Sequence, residues 1–192
     1  MTQFRTHSEI ADIFTRAERR PMEERDKFLR QLRHLEAVGV LKPHDVPRDR
    51  RGTSQFSRLE TLLSRILIAA VDNNNMTRGD LDWLRSTVLV GRTAVYPPDG
   101  NYEINLTANC DRIADGENWQ LQLISTRAFR DVSDDIDRTQ TASWVKVLTD
   151  GRRLYDGAHR DPLLPGQNLG DSIETVTFIH VTNLLRPLLP LV

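Results

Sequence analysis

The stretch from residue 21 to residue 71 constrains the fold most, because it holds two amphipathic helix patterns on either side of a short basic loop. Pro21 suits the first turn of a helix, and the acidic residues behind it favour a helix N-terminus. Apolar residues then recur at three- and four-residue spacing, which predicts one buried face. They are Phe28, Leu29, Leu32 and Leu35. Gly39 is predicted to end this helix in a left-handed conformation.

The loop that follows is basic and contains turn residues. Pro47 and Gly52 predict an irregular hairpin over this stretch. Its cationic residues are Arg48, Arg50 and Arg51. Ser57 is predicted to cap the next helix, with Glu60 as its capping-box partner. The second apolar stripe belongs to that helix.

Two further helices complete the first half. One is short, is predicted to be capped by Ser8, and carries Ile10, Ile13 and Phe14 on one side. The other is predicted to start at Thr77, beyond a break of three asparagines. Short helix, second helix, basic hairpin and third helix follow one another in the order of a winged helix-turn-helix. In that fold the second helix presents a polar face to the major groove of DNA, while its apolar stripe packs on the first helix.

Basic side chains lie where such a fold would meet DNA. The predicted DNA-binding residues are Lys27, Arg30, Arg33 and His34 on the helix and Arg48, Arg50, Arg51 and Ser54 in the loop. We expect the helix residues to reach base edges and the loop arginines to contact phosphates. A charged face opposite an apolar stripe is also typical of any soluble helix, so a solvated surface is the alternative for the helix alone. Element order and the two basic groups together favour DNA.

Two short motifs in this region match a known family. LRHLEAVGVLKP, residues 32–43, resembles the second-helix signature of MerR-type transcription regulators, and RRGTSQFS, residues 50–57, resembles their wing. The matching residues are Leu32, Arg33, Glu36, Gly39, Leu41, Lys42 and Pro43 in the first motif and Arg51, Gly52, Phe56 and Ser57 in the second. With the helices around them, the likeness covers residues 8–88 and implies a DNA-binding winged helix-turn-helix.

The chain departs from the family pattern at several positions. His34 and Leu35 replace two tyrosines, and Ser54 replaces an arginine of the wing. The connection before the second helix is longer, and Gly91 with two prolines behind it leaves no room for the family's dimerising coiled coil. The resemblance therefore implies the DNA-binding fold, and it carries over neither the family's metal or drug sensing nor its mode of dimerisation.

The character of the sequence changes at residue 91. Residues 91–100 are rich in Gly and Pro, so we predict a linker there, between a DNA-binding domain over 1–90 and a second domain over 101–192. Alternating strand patterns occur around Tyr102 and Trp119, and two more strand candidates are SWVKVLT and IETVTFIHVT. The predicted fold class is α+β, a helical N-terminal winged helix-turn-helix followed by a small mixed α/β or mainly β domain. The apolar end, LLRPLLPLV, either completes the second core or is an exposed tail for self-association.

The charge is unevenly distributed although the net charge is only −1. Residues 1–90 hold 16 Lys and Arg against 13 Asp and Glu, and residues 91–192 hold 10 against 14. The mildly basic first half favours a surface that faces DNA, and the acidic second half favours a basic or protein partner. We find no secretory signal and no apolar run of membrane-spanning length, so the expected location is cytoplasmic.

No motif in the sequence indicates catalysis or a metal site. The acidic run at 131–137 lacks the glycine and the terminal glutamate of a calcium loop. His159 and His180 have no partner at ligand spacing, and Cys110 has no neighbouring base to activate it. A phosphate-binding glycine loop and a nucleophile elbow are both missing from the sequence. We therefore expect no enzyme activity, no cofactor and no metal.

The predicted function is that of a sequence-specific transcription regulator that binds double-stranded DNA, as a homodimer and without membrane contact. The second domain would mediate dimerisation, bind an effector, or contact RNA polymerase or another protein. One alternative is an adaptor whose winged helix binds protein. Another is a DNA-packaging or recombination accessory factor of a phage-like element.

Overall fold

The computed structural model describes residues 4–44, 52–74, 76–96, 100–129, 136–155 and 172–192. The chain divides into two compact units. The first unit joins Met1–Leu89 to Thr182–Val192, and the second unit is Val90–Val181. The second unit is thus an insertion in the sequence of the first, and the chain continues into the first unit at both of its ends.

Helices make up most of the described part of the first unit. They are α1 (His7–Ala17), α2 (Arg25–Ala37), α3 (Arg58–Asn74) and α4 (Arg78–Leu89), with a 3-10 turn at Met22–Glu24 ahead of α2. Helix α1 begins after Thr6, whose hydroxyl accepts from the Glu9 amide at 3.3 Å. The Glu9 carboxylate accepts in turn from the Thr6 amide at 2.7 Å. The cap is Thr6, two residues before the predicted cap Ser8, because only Thr6 is followed three residues later by a glutamate.

The first unit has an aliphatic and aromatic core to which each helix contributes its apolar stripe. The predicted stripe of α2 is confirmed at Phe28, Leu32 and Leu35, which are at most 2% exposed, whereas Leu29 is half-buried. Phe14 of α1 meets Phe28 edge-on, with ring centroids 5.6 Å apart. Helix α3 has the broad buried face that its sequence predicted. Its fully buried residues include Leu62, Leu63, Ile66, Leu67 and Ala70.

Two predicted helix boundaries are confirmed. Gly39 follows α2 with φ at +80°, and its amide donates to a carbonyl of the last helical turn at 2.8 Å. Ser57 caps α3, since its hydroxyl accepts from the Glu60 amide at 3.2 Å. The Glu60 carboxylate accepts from the Lys42 amide and pairs with Arg85 of α4. The start of α3 is therefore tied both to the segment behind α2 and to the next helix.

The second unit is built mainly of antiparallel strands. Strand β1 (Arg92–Tyr96) pairs with β2 (Gly100–Ile104), and helix α5 (Leu106–Ala114) follows. The remaining strands are β3 (Asn118–Phe129), β4 (Ile136–Val147), β5 (Arg153–Tyr155) and β6 (Ser172–Ile179). They form one antiparallel sheet in the order β5-β4-β3-β6. A helical first half followed by an antiparallel β part confirms the predicted α+β class.

The start of the second unit differs from the sequence-based prediction. The expected linker at 91–100 contains β1, which pairs with β2 along its whole length and buries Ala94 and Tyr96. Helix α5 was not predicted. Asn105 caps it by accepting a hydrogen bond from the Ala108 amide at 2.8 Å. The apolar alternation that predicted a single strand here ends at this cap.

The C-terminal segment also differs from its predicted place. Residues 182–192, predicted with the second domain, group with the first unit. Helix α6 (Val181–Leu185) opens this segment, and the side chains of Leu185 and Leu188 are fully buried. Arg5 donates a hydrogen bond from Nη2 to the Leu191 carbonyl at 3.2 Å. The apolar tail is therefore part of a core, which was one of its two predicted roles. That core belongs to the first unit and not to the second.

Candidate nucleic-acid interface

Helix α2 presents a polar face opposite the stripe that packs on α1. Asp26, Arg30 and Arg33 follow one another at four- and three-residue spacing, so they lie on one line along the exposed side. Lys27 and His34 flank this line on the side nearer α3. All four residues predicted to bind DNA from this helix are exposed. We call Asp26, Arg30 and Arg33 the outward stripe.

The cations on this face are engaged to different degrees. Lys27 Nζ lies 3.3 Å from Asp72 Oδ2 of α3, and Gln31 donates to the other carboxylate oxygen at 2.9 Å. Arg30 donates from Nε to the Asp26 carbonyl at 3.3 Å, which uses one of its five N–H groups. Within the described residues, Arg33 forms neither a hydrogen bond nor a salt bridge. Lys27 is thus held against the protein, whereas the guanidinium groups of the outward stripe remain available.

A network of charges holds the long turn between α1 and α2. Arg20 pairs with Glu18 and with Glu24, and Glu18 pairs also with Arg65 of α3. The guanidinium carbons of Arg20 and Arg65 lie 5.5 and 5.4 Å from the centre of the Phe28 ring. The connection at 18–24 is therefore fixed by ion pairs and cation–π contacts in which both α2 and α3 take part.

Backbone hydrogen bonds join the two ends of the basic loop. The His44 amide donates to the Gln55 carbonyl at 2.7 Å. Arg5 and Phe56 exchange two backbone hydrogen bonds of 3.0 and 2.8 Å, so the segment before α1 runs alongside the end of the loop. We call this arrangement the loop root. The predicted phosphate-binding residues Arg48, Arg50 and Arg51 lie outside the described residues.

Glu36 connects α2 to the loop root and to α1. The Ser54 hydroxyl donates a hydrogen bond to one Glu36 carboxylate oxygen, and His7 Nε2 lies 3.1 Å from the other. The His7 ring also packs on Phe56, with centroids 4.7 Å apart. Ser54 was predicted to contact DNA, and in the structure its hydroxyl is engaged by the protein. Glu36 belongs to the sequence motif at 32–43. Its partners lie 18 residues or more away along the chain, so only the fold identifies them.

Burial sets the protonation behaviour of His7. It lowers the pKa of the imidazole from its usual 6.5, because the charged form loses hydration. The Glu36 carboxylate opposes this shift, and the Arg33 guanidinium adds to it. The contact between His7 and Glu36 therefore changes when the imidazole gains its proton, which happens at a lower pH than for a free histidine.

An apolar cleft lies between α2 and α3 beside the outward stripe. Its volume is about 240 Å³. Leu35, Ile68 and Val71 line it together with the carbon atoms of Arg30, Gln31 and His34. Two of the predicted DNA-binding residues thus also border an apolar depression.

The other residues that the sequence singled out do not form a site among the described residues. His180 is exposed, and its Nδ1 lies 3.0 Å from Gln120 Nε2, so this nitrogen accepts from the amide. Cys110 is buried in α5. Most of the acidic run at 131–137 and His159 lie outside the described residues. In the described ranges, no group of three His, Cys, Asp or Glu could hold a metal ion.

No helix in the described part of the chain is both long and apolar enough to cross a membrane.

Comparison with protein-family models, with curated proteins and with solved structures found no match to this chain.

Proposed function

We propose that this protein is a sequence-specific transcription regulator whose first unit binds double-stranded DNA. Helix α2 would lie in the major groove, with the loop at 48–51 on the phosphate backbone. The observation that carries the proposal is the outward stripe of α2. It places two arginines with available guanidinium groups on the side opposite the core, next to the root of a basic loop. The resemblance of residues 32–57 to MerR-type regulators supports the same function.

The chemistry of the two arginines fits base recognition. An arginine can donate two parallel hydrogen bonds to O6 and N7 of guanine, the commonest specific contact in the major groove. Arg30 and Arg33 supply such donors, and α2 is about 20 Å long, which suits a helix seated in one groove. Loop arginines that contact phosphates would add affinity without sequence preference.

The second unit would provide the regulatory contacts. Residues 91–192 carry more acidic than basic side chains, which supports a protein partner there rather than DNA. We assign to it dimerisation, effector binding, or contact with RNA polymerase or another protein. We place the regulator in the cytoplasm as a homodimer.

Selection from a random duplex pool followed by salt-dependent titration tests the proposal. The double variant Arg30→Ala/Arg33→Ala should lose binding to the selected sequence. Arg50→Ala/Arg51→Ala should weaken binding to every duplex equally and reduce the slope of log affinity against log salt by about 2. Arg152→Ala, an exposed arginine of the second unit, is the matched control and should bind as the unchanged protein does. No binding to any duplex at low salt would disprove the function.

The apolar cleft favours one second candidate, an adaptor that binds a protein segment. Val71 is half-buried at the cleft, so Val71→Gln makes the cleft polar without opening the core and without adding a charge beside Arg30. An adaptor predicts that this variant loses function in cells. The DNA-binding function predicts unchanged affinity of the same variant for the selected duplex.

A further inference from the structure

Asp26 interrupts the basic character of the outward stripe. It lies one helical turn ahead of Arg30 and two turns ahead of Arg33 on the exposed side of α2. Its side chain is 76% exposed. A carboxylate in this position repels the phosphate backbone that the arginines attract. We therefore looked for a DNA group that this carboxylate could bind.

Most acidic side chains around this helix have partners within the protein. Glu18 and Glu24 both pair with Arg20 of the turn, Asp72 pairs with Lys27, and Glu36 contacts His7. The charges paired with arginine or lysine are offset locally and contribute little to the field that DNA would meet, while Glu36 is half-buried and accepts from the Ser54 hydroxyl.

Asp26 differs from these acids in its contacts. Its nearest basic atom is Arg25 Nη1 at 3.7 Å. The Arg25 guanidinium is held by Asp12 of α1 and donates to Ser8 Oγ at 2.6 Å, so it is directed away from the stripe. Glu23 is also exposed, but it belongs to the 3-10 turn before α2 begins. Asp26 is thus the acid in helical register with the two arginines.

The major groove offers such a carboxylate one specific partner. Cytosine presents its N4 amino group there as a donor, and Asp or Glu accepts from it. Four residues of α-helix rise about 6 Å, and base pairs are stacked about 3.4 Å apart. Resting on the DNA-binding function proposed above, we infer that Asp26 is a specificity-determining residue that accepts from cytosine N4, within about two base pairs of a guanine read by Arg30.

The change Asp26→Asn separates base reading from a structural role. Asparagine keeps the shape of aspartate, but it donates as well as accepts and pairs with N6 and N7 of adenine. We expect the selected sequence to change from cytosine to adenine at one position, with at least about fivefold altered preference there and no change elsewhere. Asp26→Ala should lose the cytosine preference without gaining one for adenine.

A first-turn acid also stabilises a helix N-terminus, and that role alone predicts a different result. If Asp26 only stabilised the helix, its substitution would lower affinity for all duplexes by the same factor and leave the selected sequence unchanged. Asp111→Asn, an exposed acid on α5 of the second unit, removes the same charge as a matched control. Circular dichroism of each variant verifies that α2 remains folded.

Selection with the unchanged protein, Asp26→Asn, Asp26→Ala and Asp111→Asn distinguishes the outcomes. An unchanged cytosine preference in Asp26→Asn would overturn the inference while leaving DNA binding intact. Failure of the unchanged protein to enrich any sequence would instead overturn the DNA-binding function, and the role of Asp26 with it.

Discussion

Arg65 of α3 and Glu18, the residue that follows α1, form an ion pair whose side chains are only 5% and 12% exposed. Glu18 also pairs with Arg20, and the Arg65 guanidinium lies over Phe28 of α2. One pair thus joins the end of α1, the turn and α3 around the base of α2. The orientation of α2, on which the proposed function depends, is held from inside the protein by a charge contact.

Loss of one partner of this pair should destabilise the first unit. Arg65→Met leaves Glu18 partly buried with only Arg20 to pair it, and removing one member of a buried pair costs about 3 kcal/mol. Chemical unfolding followed by circular dichroism measures the change. Arg16→Met, an exposed arginine on α1, should change the free energy of unfolding by less than about 0.5 kcal/mol. Equal effects of the two substitutions would contradict a structural role for the pair.

The stability of the first unit should fall as the pH drops below neutral, in part through His7. Burial lowers the pKa of His7 in the folded protein below its usual 6.5, so the unfolded chain binds the proton more readily. The contribution of the neutral ring is fully present above pH 6.5 and is lost as the pH falls through the lower folded pKa.

His7→Phe tests this contribution, because it retains a ring against Phe56 and removes the titrating group. The free energy of unfolding of the unchanged protein should decline more between about pH 7.5 and 5.5 than that of the variant. Glu36→Gln should steepen the decline, since the carboxylate is the group that opposes the shift. Identical pH profiles for the unchanged protein and His7→Phe would show that His7 does not contribute.

The C-terminal segment should stabilise the first unit. Leu188 is fully buried and lies in the part of the tail that groups with residues 1–89. Leu188→Ala should cost about 2 to 4 kcal/mol through lost burial and a residual cavity. Hydrogen exchange at the Phe56 amide, which bonds the Arg5 carbonyl, should become faster. Asn183→Ala, at an exposed position, is the control. An unchanged exchange rate at Phe56 in Leu188→Ala would contradict the assignment of the tail to the first unit.

Local sequence rules were sufficient for much of the first unit. The left-handed Gly39 and the Ser57 cap each depend on a few neighbouring residues, and the stripe of α2 depends only on helical spacing. Exposure of Lys27, Arg30, Arg33 and His34 followed from the same spacing. These features are decided by backbone conformation and amphipathicity, which a short window of sequence contains.

Features that depend on contacts far apart in the chain were not predictable in this way. Arg65 reads as a polar residue of an amphipathic helix, and only the fold reveals Glu18 beside it, 47 residues away. The tail has no local sign of its partner, because Leu191 meets Arg5 at the other end of the chain. The role of Ser54 likewise depends on Glu36, which lies on a different element.

Asp72 should limit the contribution of Lys27 to DNA binding. Because Lys27 lies 3.3 Å from this carboxylate, Lys27→Ala alone should leave the slope of log affinity against log salt nearly unchanged. Asp72→Asn frees the ammonium group and should steepen the slope by about 0.9, the value for one additional phosphate contact. Lys27→Ala in the Asp72→Asn background should restore the original slope.

The pair is exposed and worth at most about 1 kcal/mol, so melting curves should hardly change. A shallower slope for Lys27→Ala alone would mean that Lys27 contacts a phosphate despite Asp72.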